Sequence, residues 1–582
     1  MRFWCTVLTV SFAISFSFAA SVDDKLEDDI KNLEKSIEVS VKKLQRIKVT
    51  RGQNISHVPP AIQHAWLEKD YNRYPPNHYY DTFKVVNPHK PCELEFHFWG
   101  QADQDIFANA YGLYINSGNI DSPVLNRNTI LRYWLRRVRP SIEGELYDFF
   151  NYFVNVDFGK NQIALYDAFI DINYYRLLGF QIGLQMSLVS GIENFFDNFD
   201  YVSRAFTMEM SNSAMLAPDR QFGFIAHGSF GPSGDEPYFR GLSLLGFDDM
   251  FSYQFGWLTD TPDNSSPQAT FDFIENTNIV QQYDLSTYAF EGRLFLNPFI
   301  DRPNFLLHHL GIGIATSLGH PSQQSGLPLL ESVGLNPIFK YSNIPNNNSV
   351  GQATITNVLA NGFRSRIHPQ MVWGYGALGL LADWTQTIQE LSVSNRVSGT
   401  PAPTYDPLLY KLTQTNSANQ LSFIYNVTQE EFNLFHFIPN MPFHFFEKDA
   451  YGGWQLVFRL SGLNLDPDVF NTNYTLNQTV DGEQYTYYYF ADPRLSVQKS
   501  NTWSIGFNWY WNQFFRISSE YDQTTFVGGC SSNALDPSSG QTSGCLTNAG
   551  TGGLTADTFL SSNQVLNRPT EKIFMTRVQV QF

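Results

Sequence analysis

The chain has 582 residues and a formal net charge of -17; only 16% of its residues are charged, and another 16% are aromatic. A soluble protein of this length would divide into about three or four domains, whereas one large barrel accommodates the same length. So acidic a chain lacks the excess of Lys and Arg that phosphate contacts require, which excludes nucleic acid as a partner. Its 50 Phe, 30 Tyr and 11 Trp residues call for a large apolar surface.

Residues 1–19 predict a signal peptide for export. Arg2 supplies a basic start, residues 7–18 form an apolar run, and residues 17–19 (Ser-Phe-Ala) provide a small-x-small cleavage site. No later stretch holds the roughly eighteen uninterrupted apolar residues of a spanning helix, which argues against a helical membrane protein. The mature protein is therefore expected to be exported.

Residues 22–49 carry a heptad pattern with Ser40 at its one polar seam position. The apolar positions, separated by alternating steps of four and three, are Leu26, Ile30, Leu33, Ile37, Leu44 and Ile47. This pattern predicts a short α-helical coiled coil that joins subunits in the periplasm; the alternative is an amphipathic helix lying on its own domain. Residues 50–92 hold two Pro-Pro pairs and predict an extended periplasmic linker.

Residues 93–582 change to segments of alternating polarity. In the last segment, 572–582, Phe574 and Val578 stand on even positions while Arg577 stands on an odd one. A soluble sandwich also alternates, but its loops need not segregate by length. Here short turns alternate with long loops rich in Asn, Ser, Thr and Pro, which predicts an all-β transmembrane barrel of antiparallel strands in the outer membrane.

An earlier strand shows the same alternation. Trp134, Val138 and Ile142 share one parity, while Arg137 and Arg139 share the other. Successive side chains of a strand point to opposite faces, so the first group is expected to face lipid and the second to face the lumen. The same reasoning applies to each strand of the barrel.

Topology restricts the number of strands. The first and last strands must both have their free ends in the periplasm, so the number is even, about 16. Taking residues 238–249 as an elongated turn satisfies this condition and places every long loop outside. One long segment, residues 187–219, is so apolar that we expect it to fold into the barrel as a constriction loop; packing on a neighbouring subunit is the alternative. The charged residues assigned to the constriction are Glu193, Asp197, Arg204 and Arg220.

Strand parity also predicts which charged residues line the pore. The expected bases are Arg137, Arg139, Arg293, Arg366, Arg459, Arg516 and Arg577, and the expected acids are Glu143, Glu145, Asp157, Asp167, Asp171, Glu291 and Glu520. Opposed rows of both signs favour a diffusion channel over a filter for one ion. The alternative is that these charges pair across neighbouring strands and only stabilise the wall.

The cysteines and histidines suggest structural roles. Cys530 and Cys545 bracket a Gly/Ser-rich loop, and in an oxidising compartment they are expected to form a disulfide; two free thiols are the alternative. The sequence contains no HExxH, Cys-x-x-Cys or GxSxG motif, so we expect no enzyme, no metal site and no cofactor.

Five segments resemble the phosphate-selective porin O and P family. They are RRVRPSIEGEL (136–146), ALYDAFIDINY (164–174), LAPDRQFGF (216–224), GGWQLVFRLSGLNLD (452–466) and SIGFNWYWN (504–512). The resemblance implies a homotrimer of sixteen-stranded barrels, each with an inward-folded third loop. Where the family usually shows a Lys and a Pro, this chain has Gln185, Met186 and Leu188, which predicts weak rather than phosphate-specific selectivity.

Together these patterns predict an outer-membrane porin for small hydrophilic solutes or ions, possible anions such as phosphate included. The other hypothesis is a surface-exposed structural or adhesive protein with a plugged barrel. The expected partners are outer-membrane lipid and lipopolysaccharide. The aromatic Phe582 resembles the terminal signal that the barrel assembly machinery recognises.

Overall fold

The computed structural model of the protein describes residues 84–86, 92–108, 129–147, 149–159, 163–190, 213–233, 249–263, 287–302, 305–321, 327, 329–347, 353–397, 410–432, 437, 439–444, 450–480, 483–512, 514–531, 535–536, 541–542 and 565–581. The predicted signal peptide (1–19), coiled coil (22–49) and Phe582 lie outside these residues and stay predictions. Of the predicted linker (50–92), the structure describes only 84–86 and residue 92.

The fold is a closed antiparallel barrel. Its sheet has 19 strands. Three short ones pair only with the ends of barrel strands and are not part of the closed ring: Lys84–Val86, Asn343–Asn347 and Val565–Asn567. The 16 strands that close the barrel confirm the predicted all-β fold. In chain order they are β1 Cys92–Ala108, β2 Thr129–Leu146, β3 Phe150–Asp157, β4 Ala164–Tyr175, β5 Leu178–Met186, β6 Arg220–Ser233, β7 Asp249–Thr259, β8 Tyr288–Leu296, β9 Gly311–Gly319, β10 Ala353–Tyr375, β11 Leu378–Val397, β12 Tyr410–Asn426, β13 Gly453–Asn464, β14 Val497–Tyr510, β15 Phe515–Ser531 and β16 Glu571–Gln581.

The connections between barrel strands contain short helices and hairpins. Two short 3-10 helices are Ser213–Leu216 and Pro467–Phe470. Three small hairpins pair Leu330–Glu331 with Pro337–Phe339, Thr475–Val480 with Glu483–Tyr488, and Leu535–Asp536 with Gln541–Thr542. Among the described residues, no helix is long and apolar enough to cross a membrane.

The first and last strands close the barrel by pairing with each other. Trp99 lies opposite Gln581 at one end of this seam, and Ala108 lies opposite Lys572 at the other. Lys84–Val86, inside the predicted linker, pairs with the beginning of β1. The sheet therefore has no open edge between β1 and β16, which removes the unpaired backbone groups that an open sheet would expose.

The alternation predicted for β16 is present in the structure. Phe574 and Val578 are 44% and 37% exposed, whereas Arg577 is completely buried. The outer wall as a whole is apolar, with exposed Phe, Ile, Leu, Val and Trp side chains on most strands. A barrel with an apolar outside and a polar inside reverses the arrangement of a soluble barrel.

A β-bulge changes the parity of β2. Gln101 of β1 pairs with Arg137, but Ala102 pairs with Leu135, so Arg136 is an extra residue. Beyond the bulge the even positions face inward, and the prediction that Trp134 faces lipid is wrong. Its ring nitrogen instead donates a hydrogen bond to Asp105 Oδ2, 3.1 Å away on the inner face.

The two ends of the barrel differ in their connections. We call the end where β1 begins and β16 ends the near rim, and the opposite end the far rim. Short near-rim turns include 376–377, where Gly376 adopts a positive φ of 52° that favours glycine. However, the connections 297–310 and 427–452 also lie at the near rim. The long loops on which the sequence prediction rests, at 187–219, 259–285, 319–361, 395–415 and 527–569, all connect strands at the far rim, whereas these two near-rim connections were not predicted.

Candidate functional site

The inner wall of the barrel carries the charged residues that the sequence predicts as pore-lining. Arg137, Arg139, Asp167, Arg293, Arg366, Arg459 and Arg516 are buried on the inner face, as are Asp171, Glu291, Glu520 and Arg577. Glu143, Glu145 and Asp157 are half-buried on the same face. We take this wall as the candidate functional site, because it gathers these charged side chains on the inside of the barrel.

An ion pair lies across the seam between β1 and β16. Arg577 donates from Nε and Nη2 to the two carboxylate oxygens of Asp103, at 2.7 and 2.6 Å. Both side chains are buried. A two-pronged contact of this kind fixes the orientation of the guanidinium as well as neutralising the charge. The pair therefore joins the two ends of the sheet on the inner face.

Tyr166 of β4 lies between two arginines. The guanidinium carbons of Arg139 and Arg220 are 3.8 and 4.1 Å from the centre of its ring. The Tyr166 hydroxyl donates to Asp219 at 2.7 Å, and Arg220 donates to Asp219 at 2.6 Å and to Asp167 at 2.7 Å. We call these five residues the Tyr166 clamp. It attaches the end of the predicted constriction loop to the inner wall.

The beginning of the 187–219 segment also contacts the inner wall. Glu291 Oε2 accepts hydrogen bonds from the Ser187 hydroxyl at 3.1 Å and from the Leu188 backbone N–H at 3.0 Å. Leu188 packs on Ile225 and Leu258, which are buried inner-face residues of β6 and β7. The segment thus turns inward as soon as β5 ends.

Contacts with β10 and β11 continue this inward course. A ring nitrogen of His368 on β10 lies 2.8 Å from the Val189 carbonyl oxygen, and the Thr387 hydroxyl on β11 donates to the Leu216 carbonyl at 3.0 Å. Val189, Ser190 and Leu216 are completely buried. Both described ends of the segment lie inside the barrel. Glu193, Asp197 and Arg204 lie outside the described residues, and their place in the constriction stays a prediction.

A second group of ion pairs joins β10 to the end of β7. Arg364 donates to Asp260 at 2.8 Å, and Arg366 donates to Asp263 at 2.7 Å and to the Thr261 carbonyl at 2.7 Å. The two acids lie in the connection that follows β7, so they fold back onto the inner wall. Here the charges pair with each other, as in the alternative that limits them to stabilising the wall.

Other inner-face arginines contact neutral amides. Arg137 donates to Gln101 at 2.8 Å, and Arg516 donates to Gln579 at 2.8 Å. Gln101 donates to Gln579 at 2.9 Å, which completes a chain of hydrogen bonds across the seam. Amide oxygens thus fix the orientation of these guanidinium groups on the wall.

The inner face close to the near rim is acidic. Glu95 of β1 and Glu143 of β2 lie opposite each other, and the ring nitrogen Nε2 of His97 is 3.7 and 3.8 Å from their carboxylates. Farther around the wall, Asp171 lies 2.8 Å from His227. Carboxylates at a pore mouth raise the local concentration of cations.

At the far rim, the inner wall from β10 to β15 is apolar rather than polar. Its Leu391, Val393, Ala418, Leu463 and Phe526 form one hydrophobic cluster with Met215, Leu216, Ile338, Phe339, Val469 and Phe490 of the connections. Tyr341 packs against this cluster and its hydroxyl donates to Gln414 at 2.6 Å. Burial raises the pKa of the Tyr341 phenol. The connections therefore cover this part of the wall.

Only one of the two cysteines in the predicted disulfide belongs to the described residues. Cys530 at the end of β15 is disulfide-bonded. Cys545 lies outside the described residues, so the pairing Cys530–Cys545 stays a prediction.

Sequence reasoning missed several inner-wall residues. Asp103, Asp105 and Arg132 lie in ion pairs, with Arg132 2.7 Å from Asp105. The two acids share the parity of Gln101 in β1, and this signal was sufficient to find them. Arg132 lies before the bulge in β2. The parity of residues 137–146, which follow the bulge, assigns Arg132 to the wrong face.

Comparisons with known proteins give distant structural neighbours. No family model matches the chain, and no curated protein matches it. The outer-membrane channel DcaP of Acinetobacter baumannii has 9% identity and a TM-score of 0.42, covering 86% of this chain and 99% of its own. OmpT of Vibrio cholerae has 7% identity and a TM-score of 0.40, covering 86% and 100%. OprB of Pseudomonas putida has 9% identity and a TM-score of 0.39, covering 84% and 94%.

At identities and TM-scores this low, nothing about activity follows from the likeness. The barrel assignment therefore depends on the strand pairing described above. The resemblance to the phosphate-selective porin O and P family stays a prediction, because no family model matches.

Proposed function

We propose that the protein is an outer-membrane porin through which small hydrophilic solutes and ions diffuse passively. The observation that carries this proposal is the division of the closed sheet into an apolar outer face and a charged inner face. Exposed residues such as Ile314 and Phe574 form the outer face, while Arg459 and Arg577 are completely buried on the inner one. A soluble protein would expose the charged face to water and bury the apolar one.

The 187–219 segment is the main candidate for the constriction. Its described ends contact β6, β7, β8, β10 and β11 from inside, through Leu188, Ser187, Val189 and Leu216. A segment held to the inside of the wall along this arc occupies part of the lumen and so narrows the path through the barrel. The charges that set selectivity would then come from this segment and from the wall beside it.

We further propose weak, cation-leaning selectivity. Strong anion selectivity needs several bases that converge without nearby acids, but the Tyr166 clamp and the Arg364 and Arg366 pairs place carboxylates beside their arginines. The acidic near rim also favours cations. Phosphate specificity would require bases that are not matched in this way.

The remaining proposals concern assembly and location. The coiled coil at 22–49, in the periplasm, would hold a homotrimer together, and Phe582 would be recognised by the barrel assembly machinery. The outer face would contact membrane lipid, with lipopolysaccharide around the outer loops. The Trp and Tyr side chains exposed at the strand ends, such as Tyr375 and Tyr451, are typical of a membrane–water interface.

Planar-bilayer recording tests the channel and its selectivity together. We expect current steps in multiples of three, a reversal potential in a salt gradient that indicates slight preference for cations, and no strong block of chloride current by phosphate. The Arg137→Ala, Arg139→Ala variant should increase the cation preference, because it removes two inner-wall charges. A silent barrel would contradict the channel, and micromolar phosphate block that the double variant abolishes would contradict the selectivity.

Placing a charge on the outer face tests the membrane orientation. Ile314, in the middle of β9, is 44% exposed. Ile314→Lys is expected to lower the free energy of unfolding in lipid vesicles by about 2–4 kcal/mol, the cost of Lys near the bilayer midplane. The control Asn473→Lys, at an exposed position after β13, should change it by less than about 0.5 kcal/mol. Equal effects of the two substitutions would mean that Ile314 does not face lipid.

An adhesive or structural protein with a plugged barrel remains the second candidate. The observation in its favour is the hydrophobic cluster at the far rim, where connections cover the inner wall from β10 to β15. If this cover extends across the lumen, the same recording will show no steps although the protein inserts into the membrane.

A further inference from the structure

The near-rim connection between β12 and β13, residues 427–452, is rich in phenylalanine. Its described residues are 427–432, 437, 439–444 and 450–452. We call its described residues from 427 to 440 the near-rim ledge. Connections on the side of the chain ends of a barrel are usually short turns, and a connection of this length needs a separate explanation.

Phe432 of the ledge lies against the inner face of β10 and β11. A Cβ atom placed on Gly374 would be 2.4 Å from the Phe432 ring, and one placed on Gly379 would be 2.3 Å from it. Real Cβ atoms do not approach other atoms so closely, so only glycine at these two positions leaves room for the ring. Phe432 is 4% exposed, and its backbone N–H donates to the Gly376 carbonyl at 2.6 Å.

Phe437 occupies a similar socket on β13 and β14. A Cβ atom on Gly453 would lie 2.2 Å from its ring, which is stacked on Tyr510 with 4.0 Å between ring centroids and 16° between planes. Tyr510 belongs to the inner face, because it shares the parity of Asn508 and is 1% exposed. Both phenylalanine rings of the ledge thus lie inside the barrel.

Polar contacts hold the ledge to β12 between these sockets. The Asn426 side chain donates to the Glu430 carbonyl oxygen at 3.0 Å. The Glu430 carboxylate accepts hydrogen bonds from the Thr428 hydroxyl and, at 3.2 Å, from the Asn440 backbone N–H. The ledge is therefore attached to five neighbouring strands of the wall, β10 to β14.

After Asn440 the chain leaves the lumen and crosses the rim. Phe443 N–H donates to the Trp511 carbonyl at 2.7 Å, and its ring lies 5.3 Å from Trp509 and 5.0 Å from Trp511. Trp509 has the parity opposite to Tyr510 and belongs to the outer face. The connection thus contacts both faces of the wall, with Phe432 and Phe437 inside the barrel and Phe443 outside it.

We infer that the near-rim ledge is a second constriction, distinct from the 187–219 segment, which Phe432 and Phe437 anchor inside the near rim. This inference depends on the proposed channel function. Both rings are 4% exposed, so they hold the ledge to the wall rather than line the path; a ledge held there occupies part of the lumen and hinders the passage of large polar solutes. Small solutes that pass without losing their water are affected least.

The test compares conductance and solute cut-off in three variants. Phe432→Ala with Phe437→Ala should raise single-channel conductance about 1.5-fold and admit larger sugars in liposome-swelling assays, because the ledge loses its two anchors on the wall. Gly379→Ala should act in the same direction, because its methyl group expels the Phe432 ring from its socket and so releases one end of the ledge. Phe443→Ala, in the same connection but outside the barrel, is the matched control and should leave both measurements unchanged.

The possible outcomes separate this inference from the proposed function. A silent wild-type protein would refute the channel. A conducting wild type whose conductance and cut-off are unchanged in the double variant and in Gly379→Ala would refute the second constriction alone. If the double variant does not insert, Gly379→Ala decides alone, and an unchanged conductance in that variant would count against the inference.

Discussion

Replacing Asp103 with alanine is expected to lower the free energy of unfolding of the barrel by about 3–5 kcal/mol, because it leaves the buried guanidinium of Arg577 without its carboxylate. The pair joins β1 to β16 at 2.6 Å, and both residues are buried on the inner face. A buried charge that loses its partner keeps the full cost of its desolvation. The loss is therefore much larger than for an ion pair on a solvated surface.

The double variant Asp103→Leu, Arg577→Met is the control. Removing both charges is expected to recover most of the lost stability, since buried ion pairs are often no more stabilising than apolar residues of similar size. The free energy of unfolding of both variants is measured by urea titration in detergent micelles, followed by tryptophan fluorescence. The change in electrophoretic mobility between heated and unheated samples gives a second measure of barrel unfolding. If Asp103→Ala is as stable as the unsubstituted protein, the seam does not depend on this pair.

Replacing Arg220 with methionine is expected to have an effect of similar size, about 3–5 kcal/mol, and to loosen the 187–219 segment. Arg220 is completely buried, and its guanidinium contacts Asp167, Asp219 and the ring of Tyr166. Without it, two carboxylates lie close together with one base fewer. Their repulsion acts where the segment rejoins the wall at β6.

The functional readout of Arg220→Met is current noise. Release of the segment from the Tyr166 clamp should produce rapid partial closures that the unsubstituted channel lacks. The control Arg220→Met, Asp167→Asn removes one acid together with the base and should recover part of the stability. Quiet currents together with unchanged urea unfolding would mean that the clamp does not hold the segment.

Much of the wall was predictable because each strand separates two environments of different polarity. In β16 the apolar Phe574 and Val578 alternate with the polar Arg577, and this local pattern is sufficient to assign faces. The even number of strands follows from topology alone. Both inferences need only neighbouring residues or the connectivity of the chain.

Bulges break this local rule. The extra residue Arg136 reverses the faces of the part of β2 that precedes it, so Trp134 enters the barrel. The apolar residues change from odd positions (Leu135) to even ones (Val138) at this point, but the prediction carried one parity through the whole strand. A parity argument is therefore dependable only up to the first bulge of a strand.

Contacts between segments far apart in the sequence were also not predictable. Glu291 was predicted as a pore-lining acid, but in the structure it accepts hydrogen bonds from Ser187 and Leu188. The length of a connection also does not tell at which rim it lies, as the near-rim ledge shows. Such features depend on how the chain meets itself in three dimensions, which periodicity does not encode.

The seam pair has a further consequence for the order of assembly. Asp103 and Arg577 are 474 positions apart in the chain, so we expect them to meet only after the intervening strands have been placed. Until then Asp103 is an unmatched carboxylate on the free edge of a growing sheet, and a charge that points inward from an edge discourages pairing with a foreign strand. The arrival of β16 neutralises this charge. Asp103 therefore hinders pairing of the unfinished barrel with a foreign strand and later holds β16 in place.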